Sequence, residues 1–464
     1  MELLPVSSYK LTSIIRMKNF GLQNVIMTIF VVMAVVALLV FSGVINIGSS
    51  NQTEARGNVT VWGTIPFSIM QKHIDQTKSR NLNVSYQVQD PLTYESDLIN
   101  AIAAGRGPDL FIMPHEEILR NKDKIFEVSY ENLPRRDYTD RYIRQSGLFL
   151  TDTGVLALPL SVDPLVMYYN KSLMSSAFIL DVPQYWDEVL SFTPQITVND
   201  ANGRVSLSGA ALGTFDNIES AKALLTTLML QNGNRIVGTD PSSGQYRSLL
   251  SLENNSFEQT KQALEYYTSF ANFGTANYSW NEALPRAQDM FIAGDLGLYF
   301  GRASELPEIR RKNPNLDFDV AFLPQLRGTT RTTTFGYMNG IAVSGQSRNV
   351  AGALAVAGAL TGQDIAGPLS AELGEVPARI DLLRNRPEEA YLNLFYNSAI
   401  IADGWVDPDP DLTDPLIKSL IRNVNTGALS VSEAITRAHT NLNEILGDTI
   451  NKTISNRNLE AFEG

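Results

Sequence analysis

His115, Glu116 and Glu117 stand just after a short apolar run in the stretch "GRGPDLFIMPHEE". An imidazole and two carboxylates side by side accept hydrogen bonds from hydroxyl groups or pair with a cation. The two carboxylates also suit the solvated first turn of a helix, where negative charge is favourable to the helix dipole. Upstream, Gly105 and Gly107 flank an arginine and raise the question of a phosphate cradle. Such a cradle runs strand, glycine loop, then a helix N-terminus whose free N–H groups point at the anion. Here the order is reversed. Tyr94, Leu98 and Ile102 recur at the spacing of one buried helical face, Gly105 and Gly107 suit the cap of that helix, and Pro108 prevents it continuing. Residues 109–113 then read as a buried strand. The glycines make a tight turn, and the chemistry belongs to the far end of the strand, at Met113, Pro114, His115, Glu116 and Glu117.

Other constellations point away from catalysis. The chain has no cysteine, which excludes disulfides, thiolate metal sites and a lipid-modified N-terminal cysteine. Its three histidines, His73, His115 and His439, are far apart, so neither a zinc site nor any other metal or cofactor is expected. The acidic run "DPDPDLTD" at 407–414 alternates as calcium loops do. It lacks glycine at the sixth place and has Lys418 at the twelfth, so it reads as a proline-stiffened surface loop. Neither G-x-S-x-G nor H-E-x-x-H occurs. Paired carboxylates for glycoside hydrolysis are a matter of spatial separation, and a membrane-anchored glycoside hydrolase stays the enzymatic alternative. A net charge of −12 makes nucleic acid a poor partner.

The elements that must position these residues follow from patterning. At 464 residues the chain is longer than one ordinary domain. Residues 25–47 carry no charge and are long enough, at about 1.5 Å per residue, to cross a hydrocarbon core of roughly 30 Å. Lys10, Arg16 and Lys18 precede them against only Glu2, which puts residues 1–24 in the cytoplasm and everything after Gly48 outside. No A-x-A-like cleavage site follows, so the span reads as a retained anchor rather than a cleaved signal, and 48–58 as a polar linker. Next come a strand at 59–62, a helix opened by Pro66 with Phe67, Met70 and Ile74 on one face, an alternating strand at "NVSYQV", and the helix and strand already described. That is βαβαβ, an α/β layer with parallel strands whose ligands bind beyond the carboxyl ends. Trp62, Gly63 and Thr64 therefore share a rim with 113–117. Further on, 156–174 reads as a long strand leaving this layer and Asn202–Gly203 as a hairpin turn. Helices are expected at 218–233, 257–273 and 350–360, and buried strands at 289–301 and 317–324.

The segments "GRGPDLFIM", "MYYNKSLM", "PQYWDEVL", "MFIAGDLGLYFG" and "GYMNGIAVSGQSRNVAGALAVAGAL" occur in that order. Together they resemble the extracellular solute-binding proteins of ABC importers, of the maltose-binding-like, sugar-binding group, over about 59–446. The resemblance implies a two-lobed α/β, periplasmic-binding-protein-like fold with a hinge. The chain would cross between lobes near 163–168 and 318–323, giving an N-terminal lobe of 59–165 with 322–362 and a C-terminal lobe of 166–321 with 363–464. It further implies a small solute, a sugar in this group, closed between the lobes and passed to an ABC permease, with the domain held outside the membrane by its N-terminal helix. Carried over by motif, the ligand positions are Met113, His115, Glu116 and Glu117; Asp163; Phe215 and Asp216 in "GTFDN"; Ala303, beside Arg302 and Ser304; and Tyr337, Asn339, Arg379 and Trp405. The family's aromatics after "GPDLFI" and past "LYFG" are replaced here by Met113 and by Arg302–Ser304.

Trp62 serves either as a ligand platform or as a cap on the core. Trp186, at a helix start, is expected to pack, and the sequence does not decide between binding and packing for Trp280 and Trp405. Within binding proteins the alternatives are a peptide or a metal ion, and a charged cleft rather than an aromatic one is the feature that separates them from a sugar.

Overall fold

A computed structural model describes residues 58–463 apart from 79–81, 201–202, 253–254, 330 and 386. The expected span at 25–47, the tail before it and the linker up to residue 57 lie outside the described residues. Among the described residues no single helix is long and apolar enough to cross a membrane.

The βαβαβ unit forms as its pattern dictates. Asn58–Gly63 pairs in parallel with Asn83–Val88 on one side and with Leu110–Pro114 on the other, and helices Phe67–Thr77 and Tyr94–Ala103 make the crossovers. Gly107 is required by a close approach, since a Cβ there would lie 2.8 Å from the Ile102 side chain. Thr334–Val343 adds antiparallel to Leu110–Pro114, and the 14-residue strand Ala157–Asn170 adds antiparallel to that.

This long strand joins two half-sheets. Asp163 lies opposite Tyr337 and Pro164 opposite Gly336, after which Leu165 pairs with Arg302 of Leu296–Arg302. Pro164 has no N–H to give a ladder, and it sits where the strand changes partners. Phe318–Phe322 runs beside Val166–Asn170, Val205–Ala210 continues parallel to Leu296–Arg302, and Val198–Asn199 closes the edge. The crossings expected near 163–168 and 318–323 therefore lie next to each other.

Two main cores fill the layers, beside a small cluster of Val128, Tyr138, Tyr142 and Val155. Val59, Val61, Ile112 and Ile341 face Met70, Ile74, Val356 and Leu360 in the smaller one. The larger runs from Phe111 and Met113, on the opposite sheet face, through Val166 and Tyr168 to Trp186, Leu225 and Phe300. Strand alternation explains why Trp62 packs against the large core while its neighbour Val61 enters the small one.

Three expectations change. The boundary at 362/363 falls inside a packed layer, because Ile365 and Leu369 of Gln363–Leu373 bury in the same core as Met70. Val376–Pro377 pairs with Ser161 and Val162, and Ala402–Asp403 with Thr334 and Phe335, so these short strands also attach to the first half-sheet. Residues 289–301 are not one strand: the helix Ala287–Ala293 ends at Gly294, whose φ of 93° suits glycine, and the strand begins at Leu296. Phe67 is exposed although Met70 and Ile74 are buried, because it is the first residue of its helix.

Candidate functional site

At the changeover, groups from both half-sheets meet. Asp163 is 3 % exposed, and its carboxylate accepts the Ser304 N–H at 3.0 Å and the Ser304 hydroxyl at 2.5 Å. Ser304 lies in the turn Ala303–Glu305 that leaves the strand Leu296–Arg302. Opposite Asp163, the ring of Tyr337 carries the Arg302 guanidinium 3.7 Å from its centroid. Behind them Glu375 accepts the Ser161 hydroxyl and lies beside Asn339. Burial pushes Asp163 up to about 7, with the Glu375 charge adding and Ser304 and Arg302 opposing. Burial also raises Glu375, against Ser161 and Arg302.

A second cluster forms around Lys222, in the helix Ala221–Gln231, every residue of which is buried. Its Nζ is 2.6 Å from Asp407, 2.5 Å from Asp414, 3.0 Å from the Thr413 hydroxyl and 3.9 Å from Glu116. It also lies 5.7 Å from the Trp405 ring centroid. Burial works against its charge, yet Asp407, Glu116 and Asp414 hold its pKa at about 12. Asp407, whose side chain is fully enclosed, is pushed by burial to about 6 against the pull of Lys222. Burial likewise raises Glu116, and among the described residues no hydrogen-bond donor reaches its carboxylate.

The acidic run 407–414 is thus a strap rather than a free surface loop. Asp407 and Asp414 hold Lys222, while Asp409 and Asp411 bind Nη1 of Arg120 at 2.6 and 2.7 Å. Arg120 also meets Glu95 at 2.5 Å. Glu117 belongs to this side, raised to about 7 by burial and the Glu95 charge, with Arg120 opposing. Among the described residues no group of three or more His, Cys, Asp or Glu is placed to hold a metal ion.

The remaining sequence-selected positions scatter. His115 is buried, its Nδ1 accepts the Met338 N–H at 3.3 Å, and burial lowers its pKa to about 4. Met113, on a strand covered on both faces, and Ala303, in the turn that follows Leu296–Arg302, are core residues at 1 % exposure. Phe215 packs against the large core, while Asp216 reaches out to Lys418 at 2.6 Å. Arg379 is engaged elsewhere, with Asp381 at 2.5 Å and the Thr361 carbonyl at 3.3 Å. Thr64 is exposed and Trp62 is partly buried. Trp405 is 2 % exposed, and the buried Nε1 atoms of Trp62 and Trp405 and Nε2 of His115 have no hydrogen-bond partner among the described residues. The Asp163 cluster therefore collects Tyr337 and Asn339, and the Lys222 cluster collects Glu116 and Trp405, with the Arg302 and Glu116 charges acting on each other between them, while Met113, Asp216 and Arg379 lie outside both. Sequence reading missed Lys222 and Glu375. Lys222 had a signal: it is the lone charge in "AKALLTTLMLQ", and a buried lysine needs a partner.

A family model for bacterial extracellular solute-binding proteins matches residues 62–366. Proteins of Brucella abortus (strain 2308) and Brucella suis biovar 1 (strain 1330), with names no more specific than binding protein, are 22% identical over 362 residues, 76% of this chain and 81% of theirs. Among solved structures, a cyclo/maltodextrin-binding protein complexed with maltotetraose has a TM-score of 0.68 at 17% identity, covering 83% of this chain and 96% of that one. An extracellular solute-binding protein from Staphylococcus aureus in complex with maltose has a TM-score of 0.62 at 18% identity, covering 87% and 98%. A solute-binding protein of an ABC transporter from Thermotoga lettingae TMO, bound with α-D-tagatose, has 0.62 at 20%, covering 84% and 99%.

Proposed function

Because this chain belongs to the family of bacterial extracellular solute-binding proteins, we propose that it is a non-catalytic receptor that encloses a small carbohydrate between its two half-sheets and presents it to an ABC permease. The observation that carries this reading is the junction itself, where Asp163 and Tyr337 meet Ser304 and Arg302 across the point at which the strand changes partners. Hydroxyl-rich solutes suit such a site, since carboxylates accept and guanidinium and serine donate. The sugars bound by the similar solved structures support the carbohydrate part. A ligand touching both halves favours a closed form only through its better affinity for that form.

The uncharged stretch 25–47 supports a retained membrane anchor, with the binding domain outside the cytoplasm. Detergent, not salt, should release the protein from membranes, and a soluble form starting near residue 48 would count against the anchor. The receptor is tested by heat-stabilisation screening against sugars, amino acids, peptides and polyamines. A ligand at 100 times its Kd should add about 2.7 kcal/mol. Stabilisation by non-sugar ligands only would defeat the carbohydrate reading, and turnover of an oligosaccharide would turn it toward a glycoside hydrolase.

A further inference from the structure

We infer that the strap at 404–414 is a latch, in which the Arg120 guanidinium holds the two half-sheets together in the empty protein and must let go before the cleft opens. This deepens the receptor reading above and rests on it for the moving halves. The strap is pinned at both ends. At its start, Ala402–Asp403 pairs with Thr334 and Phe335 of the first half-sheet, and Asp403 meets Arg331 and lies 3.4 Å from Arg144. A Cβ on Gly404 would stand 2.9 Å from His115 Nε2, so glycine is what lets the strap lie this close to the first half. At its end, Asp409 caps the helix Pro410–Asn425, whose Lys418 meets Asp216 at 2.6 Å and whose Asn425 donates to the Gly213 carbonyl at 2.7 Å. Residues 213–216 follow the strand Val205–Ala210 of the second half-sheet, so the chain crosses between the halves here again.

Arg120 ties that crossing shut. It lies beyond the carboxyl end of Leu110–Pro114 in the first half, with its Nη2 2.5 Å from Glu95 on the helix Tyr94–Ala103. Its Nη1 reaches over to Asp409 at 2.6 Å and Asp411 at 2.7 Å, at the N-terminus of the helix fixed to the second half. One nitrogen thus holds each half, which the planar fork of a guanidinium permits and a single ammonium nitrogen does not. The Arg120 side chain is 16 % exposed, so solvent screens these bonds only in part. On the other side of the strap Lys222, in the helix that follows Val205–Ala210, fixes Asp407 and Asp414, which keeps the segment between them from slackening. The halves cannot part at this edge without separating Arg120 from Asp409 and Asp411. Such a tie sets how much of the empty protein is open, and solute affinity follows the population of the binding form.

The test is a distance measurement. The chain has no cysteine, so Leu92→Cys in the first half and Phe273→Cys in the second, both exposed, carry a spin-label pair whose separation reads the opening of the full-length protein in detergent. At about 10 mM salt the intact latch should give one short distance. Arg120→Gln should raise the population of longer distances about tenfold. Arg120→Lys, which keeps the charge and loses the fork, should lie between, and about 500 mM salt should move the wild type the same way. Should Arg120→Gln fail to fold, Asp411→Asn, at a side chain 78 % exposed, removes one tie without touching the core. Arg136→Gln, which breaks an exposed pair within one helix, should change nothing. A wild type already open at low salt, or distances alike in wild type, Arg120→Gln and Asp411→Asn, overturns the latch. No solute enters the measurement, so either result leaves the carbohydrate reading to the stabilisation screen.

Discussion

Trp186 and Trp405 are both 2 % exposed, yet their surroundings differ in kind. Trp186 donates its indole N–H to Gln231 at 2.7 Å, and Gln231 passes its own N–H groups to the carbonyls of Pro324 and Thr333. The Trp186 carbonyl takes the Tyr266 hydroxyl at 2.8 Å. Trp405 has an N–H without an acceptor among the described residues, a lysine beside its ring, and carboxyl groups displaced from their ordinary range around that lysine. A region built for stability closes its hydrogen bonds. A region that leaves polar groups open and shifts its acids is where function is expected.

The contrast can be broken by experiment. The largest effect belongs to Trp186→Ala, which should cost about 3–5 kcal/mol by denaturant unfolding while leaving affinity unchanged in the folded fraction. A loss of affinity without a loss of stability would place Trp186 on the wrong side of the comparison. Next is Lys222→Met, which strands the enclosed Asp407 and should cost about 3 kcal/mol at pH 8. The cost should shrink at pH 5, where Asp407, held near 6, accepts a proton. Equal costs at both pH values would mean that the pairing does not set the stability.

Asp163 supplies a smaller, directional effect. Its folded pKa of about 7 lies above the unfolded value near 3.8. The stability it contributes is therefore complete below that unfolded value and lost as pH rises through 7. Between pH 6 and 8 this amounts to about 1 kcal/mol. His115, lowered to about 4, acts with the opposite sign. It removes stability as pH falls below its unfolded value near 6.5, and adds little slope above pH 7. Asp163→Asn should flatten the decline of melting temperature between pH 6 and 8, and an unchanged decline would assign it to other groups. The smallest effect is that of Trp405→Phe, which keeps an aromatic ring and removes the open N–H. The empty protein should lose no more than about 1 kcal/mol, and solute affinity should fall. The reverse pattern would make Trp405 an ordinary core residue.

What the sequence by itself determined are the properties that depend on near neighbours. The helical spacing of Tyr94, Leu98 and Ile102 and the glycines after them specified Tyr94–Ala103 and its turn into Leu110–Pro114. The asparagine before Val350 caps its helix through Gly352 N–H, again a local bond. Trp186 was legible as a packing residue because a helix start beside a crossing strand leaves little else for it. Only the tertiary structure decided which charges meet. Ser304 reaches Asp163 across 141 positions, Asp414 reaches Lys222 across 192 and Asp409 reaches Arg120 across 289. Periodicity repeats within a few residues and can be read along the chain, whereas an ion pair forms wherever folding brings two groups within about 4 Å. The same acidic run therefore looked like a free surface loop in sequence and is a strap between Arg120 and Lys222 in space.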